Sequence, residues 1–376
     1  MFPSFQPVGT ILQEYLKLNL ARMKCLTLLI EAMILCRTVN LAELASVMVG
    51  NANIESHYTR LRRFVREVVF EYEPLARLLA AIMHLHHEPK WTLILDRTNW
   101  KFGRIHLNIL YLAVSWKSVA VPLFFTFLED KKCGNSDHFD RIDIIECFIK
   151  TFEKSRIEVI LGDREFVGEE WIEYLIKEEI PYVFRLKEEG TLMANSRGVM
   201  VKTSDLLKPL PRGQIKDLGI RKVGRKKRQC HVMGLRNKEG QLVVVIYSAG
   251  IKDPIHLYKQ RWYIETMFKG FKSSGFEMES THITDYDRAA TLFAVMALSF
   301  CIAYQTGVHT IEAEPSIIKV KAHGRAAKSV FRYGLDKLRN ILVNKETQFL
   351  LFVEVIKKIF NQMGSIVWSN PKIVRY

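Results

Sequence analysis

The chain has 376 residues, 48% of them hydrophobic and 25% charged, which is the balance of a folded protein with room for two or three domains and excludes disorder as its main state. Its 55 Lys and Arg against 40 Asp and Glu leave a formal charge of +15, an excess that no fold requires and that fits a polyanionic partner such as nucleic acid or an acidic membrane face. The excess is local: residues 188–250 hold 13 basic and 5 acidic residues and residues 319–345 hold 8 and 1, so the rest of the chain is balanced.

Residues 1–88 read as helices. The opening Met-Phe-Pro-Ser-Phe-Gln lacks a basic segment followed by an apolar one, so no signal peptide is expected. An apolar helical run around Leu26, Leu29, Met33 and Leu35 stops near Asn40, where Asn40 and Glu43 resemble a capping box for a helix over 41–48. A Gly/Asn turn at 50–53 follows, and Ser56 is placed to cap a helix carrying Arg60, Arg62, Arg63 and Arg66. Helix, turn and basic helix outline a helix-turn-helix; a plain bundle with a solvated arginine face fits equally well. His84, His86 and His87 read as surface residues at a helix end, with no zinc-site spacing.

From residue 90 the pattern becomes strands at 91–96, 106–116 and 119–128, a helix over 139–152, a strand at 156–163, a helix over 169–180 and a strand at 182–186. Three strands, then helix, strand, helix, strand describes an α/β layer. Residues 190–247 are rich in Gly, Lys and Arg with short β-like pieces and the basic run 221–228, suggesting a β-rich insertion. Helices return from about residue 253. The uncharged stretch 289–311 is strongly apolar only over 292–304, short of the ~20 residues that span a bilayer, so a buried core helix is expected and no membrane partner. Six cysteines (Cys25, Cys36, Cys133, Cys147, Cys230, Cys301) stand singly, which speaks against a zinc ribbon and suits a reducing cytosol.

Asp96 and Asp163 each follow a strand-like run, where a carboxylate is well mounted to hold a metal; taken singly, each reads as a turn or cap residue. The segment 258–272 adds the third partner. At about 100° per residue, Tyr258, Arg261, Glu265 and Lys272 fall within an arc of about 60°. A carboxylate, two cations and a phenol on one face are costly to bury and suit a metal-phosphate site, with Trp262, Ile264, Met267 and Phe268 pointing elsewhere.

The spacing Tyr258-x2-Arg261-x3-Glu265-x6-Lys272 resembles the signature of the insertion-sequence-four family of transposases, Asp-Asp-Glu recombinases with a ribonuclease-H-like fold. Asp96 in Leu-Asp-Arg-Thr-Asn-Trp and Asp163 in Gly-Asp-Arg-Glu-Phe look like the family's two Asp motifs, and Phe-Arg185-Leu-Lys187 like the strand that follows. The 102 positions from Asp163 to Glu265 leave room for the family's β-rich insertion. The resemblance implies an α/β fold with a ribonuclease-H-like mixed sheet core, a β-rich insertion and flanking helical regions. The expected divisions are a helical DNA-binding domain at 1–88, core at 89–187, insertion at 188–250, second part of the core at 251–310 and a basic helical region at 311–376.

The implied activity is cut-and-paste DNA transposition: cleavage at the element's ends and joining of its 3′ ends to target DNA. Asp96, Asp163 and Glu265 would be catalytic metal ligands for two Mg²⁺ ions about 3.5 to 4 Å apart, with Mn²⁺ as a substitute. Tyr258, Arg261, Lys272, Arg185 and Lys187 would contact DNA phosphates. A hairpin intermediate needs an aromatic platform for a flipped base; residues 188–250 offer only Tyr247, leaving Trp262 or Trp100. Arg221, Lys222, Arg225, Lys226, Lys227 and Arg228 read as further backbone contacts. The partners implied are double-stranded DNA and a second copy of the chain, in the bacterial cytosol or nucleoid. The alternatives are a non-catalytic DNA-binding protein derived from such an enzyme and a metal-dependent nuclease without strand transfer.

Overall fold

The structure is a computed structural model that describes residues 6–102, 105–128, 134–322 and 326–360. Cys133 and the last part of the expected 311–376 region lie outside the described residues; the other five cysteines are free thiols. In chain order the elements are α1 (Gln6–Tyr15), α2 (Leu20–Cys36), α3 (Leu41–Val47), α4 (Ile54–Glu67), α5 (Tyr72–Ile82), β1 (Trp91–Phe102), β2 (Ile105–Trp116), β3 (Val119–Phe127), α6 (His138–Phe152), β4 (Ile157–Gly162), α7 (Glu169–Lys177) and β5 (Tyr182–Arg185). Then come β6 (Leu192–Ala194), β7 (Met200–Lys202), α8 (Thr203–Leu206), β8 (Ile215–Val223), β9 (Arg228–Arg236), β10 (Leu242–Tyr247), α9 (Pro254–Lys259), α10 (Tyr263–Phe271), α11 (Tyr286–Ala313), α12 (Val330–Val343) and α13 (Lys345–Phe360). They form two compact units, one of residues 1–88 with 269–376 and one of residues 89–268.

The second unit is built on a ten-stranded mixed sheet in the order β3-β2-β1-β4-β5-β10-β9-β8-β6-β7. β1, β2 and β3 are an antiparallel meander, while β1, β4 and β5 run parallel. This is the ribonuclease-H-like arrangement. Where β1, β4 and β5 run parallel, their runs Leu93–Leu95, Val159–Leu161 and Tyr182–Phe184 are apolar and buried, as strands covered on both faces are. The insertion does not form a separate layer: β10 pairs with β5, and β9, β8, β6 and β7 extend the same sheet.

The sheet register sets the site. Leu95, Gly162 and Phe184 are opposite one another on β1, β4 and β5, so Asp96, Asp163 and Arg185 stand one step beyond at the same level. β1 continues through Asp96 to Phe102 instead of ending there, because β2 stays paired with it; only its parallel pairing with β4 ends at Leu95. Asp96 therefore sits at the mouth of the parallel segment although it is inside a strand.

The first unit is helical. Asn53, not Ser56, caps α4, accepting from the Ser56 N–H at 2.8 Å. Asn40 caps α3 through the Ala42 N–H, but its own N–H goes to Thr38 Oγ1 and not to Glu43. α3 and α4 pack together, with His57, Leu61, Phe64 and Val65 inward and Arg62, Arg63 and Arg66 exposed. α11 is long and apolar enough to cross a membrane, yet 94% of its apolar window is buried within the protein, as the sequence leads one to expect. α12 crosses α11 backbone to backbone, Gly334 against Ala303 and Gly307.

At Gly162 an added Cβ would stand 2.9 Å from Phe166 Cβ and 3.0 Å from Phe184 Cδ1, both on fully buried side chains. Gly162→Ala is expected to cost about 1 to 3 kcal/mol of overpacking, read by urea unfolding, and to move Asp163, its neighbour.

Candidate active site

Each side chain of the site is delivered by a separate piece of the second unit. Asp96 comes from β1 and Asp163 from the end of β4. Tyr258 and Arg261 come from α9 and the single 3₁₀ turn after it, Gln260–Trp262, and Glu265 from the first turns of α10. The backbone stays right-handed at Lys259, Gln260 and Tyr263, so the helical direction survives the 3₁₀ turn and Tyr258, Arg261 and Glu265 keep a common face. α9 packs on β5, β10 and β4. Gln260 accepts from Ser115 Oγ of β2 at 2.7 Å, and Phe268 lies edge-on to Tyr111 of β2 with centroids 5.5 Å apart. Tyr111 is the β2 partner of Asp96, so these contacts bring the α10 carboxylate to the β1 carboxylate.

Arg261 stands between them. Its guanidinium donates to Asp96 Oδ2 at 2.9 Å and to Glu265 Oε1 at 3.4 Å, with its side chain 9% exposed. It lies 5.9 Å from the centroid of the Tyr258 ring, and the Tyr258 hydroxyl donates to Asp163 Oδ1 at 3.1 Å. Three carboxylates thus converge on one arginine and one phenol. Burial pushes Asp96 up to about 7; Arg261 and the Arg97 N–H oppose that shift, and Glu165 and Glu265 add to it. Burial also raises the Tyr258 phenol above its ordinary range, which keeps it a neutral donor.

A second set of contacts, not anticipated from the sequence, fixes both aspartates from behind. Arg97 makes a forked pair with Glu165, 3.1 Å to each oxygen by its closest contacts, and reaches Asn99 and Asn108 at 2.9 Å. Buried Arg141 donates to the Glu165 carbonyl at 3.0 Å and lies over the Phe166 ring. The available signal was position: Arg97 directly follows Asp96, and Glu165 comes two residues after Asp163.

The donors Asp96, Asp163 and Glu265 are all oxygen, the chemistry that hard divalent cations take. Among the described residues no group of three or more His, Cys, Asp or Glu is already gathered closely enough to hold an ion. The Arg261 guanidinium fills the place between Asp96 and Glu265 that a cation would claim, so the donor set fits such an ion with Arg261 as its stand-in.

The remaining sequence candidates are distributed more widely. Arg185 reaches Glu188 at 2.9 Å, and Arg164 shares the same oxygen at 3.3 Å. Lys187 is exposed, and Lys272, half-buried, follows the last residue of α10 in the first unit. Trp262, one of the two candidate base platforms, is 60% exposed, whereas its neighbours Ile264 and Met267 are fully buried. Trp100 is 1% exposed, so its ring is closed to a base, and Tyr247 is 6% exposed. Arg60 turns back to the Ala21 carbonyl. In the insertion, Lys226 is taken up by Glu169 and Glu170 and Arg228 by Glu173, all on α7, and Arg221 reaches the Ile220 carbonyl. Lys222, Arg225 and Lys227 remain exposed. The basic run is therefore partly neutralised by the acidic face of α7.

Residues 134–302 match the family model described as Transposase DDE domain. The matched stretch includes Asp163 and Glu265, while Asp96 lies outside it and joins them through the sheet register and its bond to Arg261. No curated protein matches the chain significantly. A solved structure to which the chain is similar is the cryo-EM structure of a piggyBac transposase synaptic complex with hairpin DNA, with a TM-score of 0.44 and 10% identity over 95% of this chain and 80% of that one. The match over 134–302 supports a transposase.

Because Asp96 is raised in the fold, its contribution to stability is complete below the ordinary Asp range near 3.9 and is lost as pH rises through about 7. In the presence of a chelator, the stability of the native protein relative to Asp96→Asn is expected to fall by roughly 2 to 4 kcal/mol between about pH 4 and pH 8, a pKa unit being about 1.4 kcal/mol. Urea unfolding of both proteins across that range checks it.

Proposed function

We propose that the protein is a DNA transposase that cleaves the ends of an insertion sequence and joins the 3′ ends to target DNA. The observation that carries this reading is the convergence of Asp96, Asp163 and Glu265 on Arg261 and Tyr258 at the mouth of a ribonuclease-H-like sheet. Asp96, Asp163 and Glu265 would hold the divalent metal, two Mg²⁺ or Mn²⁺ ions. When bound, these ions supply charge stabilisation at the scissile phosphate and acidify a water.

The chain's own residues do the rest. Arg261 keeps two mutually repelling carboxylates together, and its guanidinium would serve a DNA phosphate from the same place. Tyr258, held neutral, orients Asp163 with its hydroxyl. Arg185, Lys187 and Lys272 supply cations for the backbone, a positioning role that carries no sequence information. Exposed Trp262 is the aromatic surface on which an unstacked base would rest. Arg62, Arg63 and Arg66 on α4 form a solvated cationic face for double-stranded DNA outside the site. Concerted cutting and joining of two ends requires two sites, hence a homodimer in the active complex.

The deciding experiment is Mg²⁺-dependent cleavage of DNA carrying the element's own ends, native protein against Glu265→Gln, resolved on a denaturing gel. Cleavage is expected to fall by more than about a hundredfold in the variant with DNA binding retained, since even groups that only support a metal ligand cost 10- to 100-fold. Binding without cleavage by both proteins would favour a non-catalytic DNA-binding protein. Cleavage without joining of a 3′-hydroxyl end would favour a simple nuclease.

A further inference from the structure

α2 ends at an unusual residue. Arg37, its C-cap, has φ 61° and ψ 35°, the left-handed conformation that suits glycine and penalises a residue with a Cβ. Its N–H closes the helix on the Met33 carbonyl, so the backbone is satisfied. The side chain is another matter: it is half-buried, and its Nε is out of water with no hydrogen-bond partner. A donor on a permanently charged group, shielded and unused, is costly to keep.

The surroundings add positive charge. α12 packs on α2 and presents Arg332, Asp336 and Arg339 at positions i, i+4 and i+7, one stripe of the helix. The backbone crossing of Gly334 on Ala303 and Gly307 fixes where that stripe lies. Burial first, then repulsion from Arg332 and Arg339, lowers the proton affinity of Arg37 below its ordinary value, with Asp336 and Glu277 opposing. Asp336 is already committed, to Lys328 at 2.8 Å and to Arg332 at 2.9 Å. Arg37, Lys328, Arg332 and Arg339 against Asp336 and Glu277 leave two positive charges in excess. The C-terminal dipole of α2 offsets about half a charge, and Arg37 itself occupies one of the carbonyls there.

We infer that Arg37, Arg332 and Arg339 form a phosphate-binding site that takes the DNA backbone, built in the first unit and independent of the carboxylates of the second. An oxyanion with several acceptor oxygens would meet the outer end of the half-buried Arg37 guanidinium, give Nε a partner once that side chain turns outward, neutralise the excess and match the planar fork of arginine. Arg37 lies some 300 residues from its partners in sequence, so no motif announces the site. That the oxyanion is DNA rests on the transposase reading; the readout below does not depend on cleavage.

The test is binding of duplex DNA by the full chain, followed by fluorescence anisotropy over a range of NaCl concentrations. Arg37→Gly removes the guanidinium while suiting the left-handed backbone, and Arg339→Gln changes an exposed side chain. Each is expected to reduce the slope of log affinity against log salt by about one and the double variant by about two, with an affinity loss of about tenfold per change at moderate salt. An unchanged slope and affinity in the folded double variant, or in Arg339→Gln alone should the double variant fail to fold, would overturn the proposal. Inorganic phosphate supplies the remaining arm: raised melting temperature of the native protein but not of the double variant, with DNA binding unaltered, would assign the site to free phosphate and reject DNA. Slopes that change while no protein cleaves would sustain this site and sink the catalytic reading; normal cleavage with unchanged slopes would do the reverse.

Discussion

A single guanidinium, placed where negative charge would otherwise scatter the structure, is the constraint on which the second unit depends. Two like charges about 4 Å apart repel by roughly 4 kcal/mol at the effective dielectric near a protein surface, and more where water is excluded. Arg261 meets that repulsion by bonding Asp96 on a strand and Glu265 on a helix at once. Much of the local architecture serves to bring it there: the seat of α9 on the sheet, the Gln260–Ser115 bond and the edge of Phe268 against Tyr111. Buried ion pairs of this sort contribute little net stability, because desolvation offsets the attraction. What they secure is a fixed arrangement, with Asp96 and Glu265 held on one guanidinium.

Behind that cluster the fold repeats the device with different chemistry. Arg97 and Glu165 are a forked ion pair, 12% and 20% exposed, linking the residue after one aspartate to the turn after the other. Asn108 of β2 joins them and also donates to the Gly134 carbonyl. The two aspartates are thus held by backbone register from one side and by a charged network from the other. Neither network alone would fix both the height and the direction of the carboxylates.

Much of this was legible in the sequence because it depends on short-range periodicity. Tyr258, Arg261 and Glu265 share a face by helical arithmetic, and a 3₁₀ turn with right-handed angles does not disturb it. Asp163 follows a strand as its apolar run suggests. Asp96 was harder: its strand continues because β2 remains paired, a fact about a neighbour and not about the residues themselves. The same reason hid the acidic face of α7 that takes up Lys226 and Arg228, and the burial of Trp100. The cap of α4 is Asn53 and not Ser56 because both are polar and lie about one turn apart, and only backbone geometry chooses between them. The basic run 319–345 that holds Arg332 and Arg339 stood out in the sequence, but its grouping with Arg37 was invisible, since nothing local connects the end of α2 to a stripe on α12.

One feature of the sheet bears on how such a chain tolerates change. The insertion departs from β5 and returns on β10, and these strands are hydrogen-bonded neighbours, with Arg185 opposite Val245. Exit and entry points are therefore only about 5 Å apart. Whatever hangs between them closes a loop whose ends the core has already brought together, and the entropic cost of enlarging it grows only with the logarithm of its length. Segments of quite different size could be exchanged at this doorway while the strands carrying Asp96 and Asp163 kept their register. In contrast, one residue gained or lost between β1 and β4 would have to be absorbed before Leu95 and Gly162 meet.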